Sequence, residues 1–343
     1  MNPILSRRSL LLTAGAGALA TAGCNGTANQ KAAQQASASV ASLGSATIGL
    51  TYIPNIQFAP FYWAADKGDF TRQGVTATLR HHGASEGLFT ALTAGQEQYV
   101  LAGGDEVIQA NSQGMDLVTV AGYYQIYPIV LIVPESSSIT ALADLRGKKI
   151  GVPGKYGETW FGLQLALKNA SLTEADVQIV TIGYTQQAAL ATNKVDAIVG
   201  FSNNDAVQFK TNGVAVRTIP LGAEVPLVSS SIVTTRKQLS AHPELTRAVC
   251  KAIVAGVQGV VTQLDEAIET SVAHIPGLDQ AKAQQGARAT LEATLPLWRG
   301  SEVIPTLKLD AARFTQMERF MRNAVLISKD VDATQAVDAT VLG

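Results

Sequence analysis

From residue 46 onward the chain alternates short apolar runs with helical stretches. It does so twice before becoming almost wholly helical. No other feature restricts the fold as strongly. Residues 46–52 alternate as a strand does, and 60–67 predict a helix with Pro60 in its first turn and Gly68 past its end. Strand, helix, strand, helix and strand follow at 76–79, 88–92, 99–102, 106–112 and 117–121. A second run begins at 129–133, between Pro128 and Pro134. It continues with helix at 141–145, strand at 148–152, helix at 162–169 and strand at 177–182. It ends with helix at 186–192, strand at 197–200, helix at 205–211, strand at 214–219 and an extended stretch at 226–234. Strands separated by helices argue for mostly parallel sheets covered on both faces. Residues 243–273 place Leu245, Val249, Ile253, Val257, Val260, Val261 and Leu264 on one face of a long amphipathic helix. Helices at 280–293 and 311–325 complete the helical last third. The expected class is therefore α/β. Chain crossings near 123–128 and 221–227 predict two lobes around a cleft, lobe 1 from 45–124 plus 222–343 and lobe 2 from 125–221. Clefts between lobes commonly hold ligands.

The first residues predict where the folded part works. Arg7 and Arg8 precede an apolar stretch, 9–20, too short to span a bilayer, so residues 1–23 read as an export signal. Small residues then lead to Cys24, an ending that resembles a bacterial lipobox, whose cysteine carries lipid. Ser6-Arg7-Arg8-Ser9-Leu10-Leu11 resembles a twin-arginine signal. An ordinary cleaved signal with an incidental Cys24 is the alternative. Residues 24–44, rich in Ala, Ser and Gln, read as a flexible tether. No later stretch is expected to reach transmembrane length, so the chain is placed at the outer face of the cell membrane, held by lipid on Cys24.

Charge and cysteine usage narrow the partners. The net charge is −1 and no Lys/Arg run occurs, which argues against nucleic acid. With Cys24 lipidated, the other cysteine, Cys250, has no disulfide partner. It lies beside Val249 and Ile253 and reads as a small buried hydrophobe. The fold must then rest on a large core, and a monomer is expected.

Three loops leaving strands are rich in groups that recognise small molecules. In Thr51–Tyr62, rings could sandwich a planar ligand while Asn55 and Gln57 bond its edge. Phe58, Phe61 and Tyr62 are equally suited to core packing at a helix start. Residues 151–160 lead through Gly154, Tyr156 and Gly157 into a helix beginning near Glu158 or Thr159, with Trp160 close by. Free amides there would attract an anion or carbonyl, or Thr159 would simply cap the helix. Gly103-Gly104-Asp105-Glu106 turns sharply, with Asp105 suited to capping, and residues 200–205 repeat the form, with Asn203 and Asn204 either capping or facing the cleft. Catalysis has little support. His81, His82, His242 and His274 show no metal spacing, and Gly83-x-Ser85-x-Gly87 is displaced from its strand, leaving Ser85 to cap a turn. Asp105 and Glu106 are adjacent and diverge on a helix. No metal, cofactor or catalytic residue is expected.

Tyr52-x-Pro54-Asn55, Pro60-x-Tyr62-x-Ala64 before Gly68-x-Phe70, Gly103-Gly104-Asp105, Leu145-Arg146-Gly147-Lys148 and Gly151-Val152-Pro153-Gly154-x-x-Gly157-Glu158-Thr159 resemble the binding proteins related to thiamine-pyrimidine synthase. These are type II periplasmic substrate-binding proteins of ABC importers. The resemblance implies a two-lobed fold closing on one small ligand and handing it to a permease with its ATPase. It implies contacts at Asn55, Tyr62, Gly157, Glu158 and Thr159. Gln57, Phe58, Phe61, Asp105, Tyr123, Tyr156, Trp160 and Asn203 complete the candidate set. Similar members bind thiamine pyrimidine precursors or riboflavin, and others bind alkanesulfonates or nitrate. Pyrimidine-binding members usually carry histidine where this chain has Phe58, and the cysteine-rich segment of the synthases is missing, which speaks against synthesis and for a larger flat ligand. A small anion would instead call for a basic residue in the cleft, with Lys155 and Arg80 as candidates.

Overall fold

The computed structural model describes residues 41–83 and 86–343. The expected signal at 1–23, Cys24, the tether up to residue 40 and Ser85 lie outside the described residues. Among the described residues ten strands form: β1 (Gly44–Leu50), β2 (Val75–His81), β3 (Tyr99–Gly103), β4 (Leu117–Gly122), β5 (Ile129–Pro134), β6 (Lys149–Val152), β7 (Gln178–Thr181), β8 (Ala197–Phe201), β9 (Val216–Pro220) and β10 (Ser230–Thr235). They make two five-stranded sheets, ordered β2-β1-β3-β10-β4 and β7-β6-β8-β5-β9.

The sheets are mixed, which corrects the expectation of mostly parallel ones. β1 runs parallel to β2 and β3, and β6 parallel to β7 and β8. β10 is antiparallel to β3 and β4, and β5 is antiparallel to β8 and β9. The reason is the two crossings. The chain leaves β4 at the end of the first sheet that faces the second and enters β5 after only six intervening residues. A connection that short cannot return to the far end, as a parallel strand would require. The segment from β9 to β10 crosses back under the same constraint.

Apolar side chains cover both faces of each sheet. Helix Pro243–Thr262 lies on the first sheet's outer face and buries Leu245, Val249, Ile253 and Val257 with Phe61, Tyr62 and Trp63 of helix Ala59–Asp66. Ile132, Ile198 and Phe209 pack on the outer face of the second sheet. Between them one core runs without a break from Val100 and Val233 through Leu131, Val152 and Phe161 to Phe314 and Met317 of helix Ala311–Asn323. Cys250 is fully buried, and burial pushes its thiol up to about 12, well outside the reactive range.

The last third departs from expectation in two ways. The long helix is broken at Gln263 (φ −139°, ψ 62°) into Pro243–Thr262 and Leu264–Ser271. The second piece turns to pack on Ala59–Asp66, where Lys67 Nζ meets Glu266 Oε1 at 2.6 Å. Helix Pro243–Thr262 is also long and apolar enough, by length and composition alone, to cross a membrane, contrary to the sequence reading. Here its apolar face is covered by protein. Gly256 and Gly259 permit the approach, since a Cβ at either position would overlap the Pro60 carbonyl or the Trp63 ring. Elsewhere the helix expected at 88–92 shrinks to Thr90–Thr93, that at 141–145 is a 3-10 turn, Leu142–Leu145, and that at 280–293 extends to Arg299.

Candidate ligand-binding site

The carboxyl ends of β1, β3, β6 and β8 and the start of β10 converge on one cavity of about 540 Å³. Crevices at the carboxyl ends of strands are where open α/β sheets bind ligands, and the volume lies in the ~300–1,000 Å³ range of small-molecule sites.

Aromatic rings line it from both sheets. Tyr52 and Phe58 follow β1, Tyr124 follows β4, and Tyr156, Tyr184 and Phe201 come from the second sheet's loops and strand ends. Tyr52 and Tyr184 meet edge to face across the cavity, centroids 5.2 Å apart and planes at 87°. Tyr156 and Tyr184 are about half exposed at the mouth, leaving ring faces free for a flat ligand. Tyr156 precedes helix Gly157–Asn169 in an extended conformation, and Gly157 follows at φ +74°. That left-handed backbone suits glycine. It also keeps Glu106 Oε1 clear, since a Cβ at Gly157 would sit 3.1 Å from that oxygen.

Carboxylates gather at the cavity floor from different elements. Glu106 sits in the first turn of helix Gly104–Ser112, and its Oε2 accepts from Gly103 N at 2.7 Å. Asp105, expected to cap this helix, turns inward. Its Oδ1 accepts from Glu106 N at 2.8 Å and its Oδ2 from Tyr127 Oη at 2.7 Å. Tyr127 Oη also lies 2.9 Å from the Glu158 carbonyl oxygen. Glu158, from the other sheet's helix, accepts from Ser229 Oγ at 2.6 Å and Ser230 Oγ at 2.9 Å. One carboxylate thus ties a helix of the second sheet to the start of β10 in the first. Asp205 Oδ2 accepts from Phe201 N at 2.7 Å. Removing these groups from water raises their pKa values: Glu158 to about 7, Glu106 to about 8 and Asp205 to about 6. Asp105 is raised as well, first by burial and then by the charges of Glu158 and Glu106.

No lysine or arginine lines the cavity among the described residues. Arg80 is bound to Glu97 at 2.6 Å and to both oxygens of Glu86 at 2.8 Å. Lys155 meets Glu174 at 2.7 Å with its ammonium over the Trp160 ring. His82 reaches the wall, but its Nε2 is 2.9 Å from the buried Glu97.

Of the residues singled out from sequence, the structure brings Gln57, Phe58, Tyr156, Gly157, Glu158 and Thr159 together on the cavity wall. The others stand behind it. Asn55 Oδ1 accepts from Gln57 N and fixes that turn. Phe61 and Tyr123 pack together in the core at 5.4 Å, and Tyr123 Oη donates to the Gln57 carbonyl. Tyr62 is buried, its Oη 3.0 Å from His81 Nε2 and its ring stacked on His274. Asp105 is buried beneath Glu106, and Trp160 sits under Lys155. Asn203 is buried and its Nδ2 donates to Thr294 Oγ1 at 2.9 Å, with Tyr124 Oη at 3.3 Å, so it supports a wall residue rather than lining the wall. Asn204 does line it. The wall also includes Tyr52, which lies in the ring-rich Thr51–Tyr62 segment but outside the candidate set, and Tyr124, Tyr184, Glu106, Asp205 and Ser230, which the sequence reading did not place there. Position is the signal for most of them: Tyr52 and Tyr124 stand two residues past a strand end, Tyr184 and Glu106 three, and Asp205 four.

The family described as NMT1/THI5 like matches residues 55–267. The riboflavin-binding protein RibY of Chloroflexus aurantiacus is 33% identical over 299 residues, covering 84% of each chain. Among solved structures, the periplasmic aliphatic sulphonate binding protein SsuA of Escherichia coli matches with a TM-score of 0.70 at 18% identity, over 87% of this chain and 99% of that one. The alkanesulfonate-binding protein SsuA of Xanthomonas axonopodis pv. citri, bound to MOPS, matches with a TM-score of 0.68 at 19% identity, over 86% and 98%. These likenesses establish the two-lobed binding-protein fold.

Proposed function

Since the chain belongs to the NMT1/THI5-like family, we propose that it is an exported solute-binding protein of an ABC importer that captures riboflavin or a closely similar flat, uncharged nitrogen heterocycle. One observation carries this reading: the cavity between the sheets is walled by aromatic rings, floored by carboxylates and lined by no cation among the described residues. Rings offer faces for stacking, and carboxylates accept from ring N–H and hydroxyl groups. A volume of about 540 Å³ leaves room for more than a single pyrimidine ring, so a flavin suits it better than a thiamine pyrimidine precursor. The name of the RibY relative supports the same choice. The alternative of an alkanesulfonate or other small anion loses its support, because Arg80 and Lys155 are both held by acidic partners.

In this account Gln57, Phe58, Tyr156, Gly157, Glu158 and Thr159 touch the ligand, while Asn55, Phe61, Tyr62, Asp105, Tyr123, Trp160 and Asn203 hold those groups in place. The lobes comprise 45–124 plus 222–343 and 125–221, and closure bends the crossings near 123–128 and 221–227. Lipid on Cys24 and the tether keep a monomeric body beside its permease and ATPase at the outer face of the membrane, after export by the twin-arginine route. Binding without chemistry is the role. Isothermal calorimetry with riboflavin, hydroxymethylpyrimidine, formylaminopyrimidine, thiamine and an alkanesulfonate decides the question. Riboflavin should give one tight site per chain. Heat from the sulfonate alone would sink the reading.

A further inference from the structure

We infer that the site accepts the uncharged form of its ligand and rejects the phosphate ester, because carboxylates stand at both helix starts where an anionic headgroup would bind. The inference rests on the reading of the cavity as a flavin site and adds which form of the molecule is carried.

Two helices of ordinary length, Gly104–Ser112 and Gly157–Asn169, begin at the cavity. Helix starts present free N–H groups and a positive dipole end, which is the equipment of an anion site. Here the first start is already filled, and the second carries a carboxylate of its own. Glu106 turns back onto Gly103 N at the first, and Asp105 is bonded to Glu106 N beside it. Glu158 stands in the first turn of the second, where its carboxylate accepts from Ser229 and Ser230 and places negative charge beside that helix start. Asp205 adds a fourth carboxyl by its bond to Phe201 N. Countercharge is not at hand. Arg80 is shared by Glu86 and Glu97, and Lys155 belongs to Glu174. A phosphate monoester entering this space would face carboxylates from two sheets without a free cation among the described residues. Hydroxyl and ring N–H groups would find acceptors instead: among the described residues, Glu106 Oε1, beside Gly157, and Asp205 Oδ1 accept no hydrogen bond.

The test measures the dissociation constants of riboflavin and riboflavin 5′-phosphate by quenching of flavin fluorescence, at pH 8 and physiological salt. At that pH the phosphate is doubly charged, the Glu158 and Asp205 carboxyls are mostly ionised and Glu106 is about half ionised. The ester should bind on the order of 100-fold more weakly, the scale of one like-charge contact at partly buried distances. In Glu106→Gln combined with Asp205→Asn, the ratio of the two constants should narrow to about tenfold or less, whatever happens to the absolute affinity. Equal constants in the wild type, or a ratio unmoved in the double variant, would overturn the inference. If riboflavin itself does not bind, the flavin reading falls. The charge rule is then read from hydroxymethylpyrimidine against its phosphate, and it fails if the phosphate binds as well.

Discussion

Glu158 offers a perturbation whose outcome can be worked out from the structure. Its carboxyl is buried, bridges the two sheets through Ser229 and Ser230, and is raised by burial from 4.5 to about 7. Between pH 4.5 and about 7 the folded protein therefore holds a proton that the unfolded chain has released. Where the folded state binds more protons, stability falls as pH rises, and above the folded value it is flat. At ~1.4 kcal/mol per pH unit, Glu158 removes at most about 3 kcal/mol between pH 4.5 and 7. Its nearness to Asp105 and Glu106 shares out part of that. Glu106 and Asp205 act in the same direction. His81, lowered chiefly by burial, acts in the opposite direction below its unfolded value. Comparing the wild type with Glu158→Gln cancels Asp205 and His81, whose shifts do not depend on Glu158, and relieves part of the shift on Glu106, which adds to the same trend. The amide keeps the shape, still accepts from a serine hydroxyl and carries no proton to lose. Urea unfolding of the ligand-free protein at pH 5, 6, 7 and 8 should show a clear decline in the wild type and a shallower one in the variant. The gap between the two profiles should widen up to about pH 7 and hold steady above it, having changed by roughly 6–10 °C if followed as Tm. Parallel profiles would refute the idea that Glu158 is buried at the price of its charge.

Four further outcomes follow from the same structure. Gly256→Ala should lose about 1–3 kcal/mol in urea unfolding because its Cβ meets the Pro60 carbonyl, while Gly286→Ala, with nothing nearer than Thr211 Cγ2 at 3.5 Å, should be neutral or stabilising. Tyr184→Ala removes the ring set edge-on to Tyr52 and should weaken flavin binding about tenfold by fluorescence titration, with little change in unfolding, since the side chain is half exposed. Asn203→Ala leaves Thr294 and Tyr124 without that amide and should lower stability by ~1–3 kcal/mol, read by thermal unfolding. Cys24→Ser should move the protein from the membrane fraction to the soluble one on cell fractionation.

How far the sequence discloses this molecule depends on the range of the forces involved. Strand and helix alternation is local, so most elements fall within a few residues of their expected places. Strand direction is not local. β10 pairs with β3 and β4 more than a hundred residues upstream, and no pattern within Ser230–Thr235 records it. The break at Gln263 has no Gly or Pro to announce it, because the cause is the packing of the following helix on Ala59–Asp66. The same limit applies at the site. Phe58 and Phe61 are one helical turn apart in similar company, yet Phe58 reaches the cavity and Phe61 the core, a choice made by Tyr123 and its neighbours. Asp105 and Glu106 do diverge, as adjacent helical residues must. What brings carboxyls together is Glu158, arriving from another sheet through the opposing helix start.

The central claim is that the cavity is a flavin site, and the light emitted by riboflavin tests it most directly. Titrating the purified protein into a fixed amount of riboflavin should quench the emission to a plateau at one flavin per chain, with alkanesulfonates unable to reverse it. Emission that stays unchanged, or quenching that an alkanesulfonate abolishes, would contradict the account.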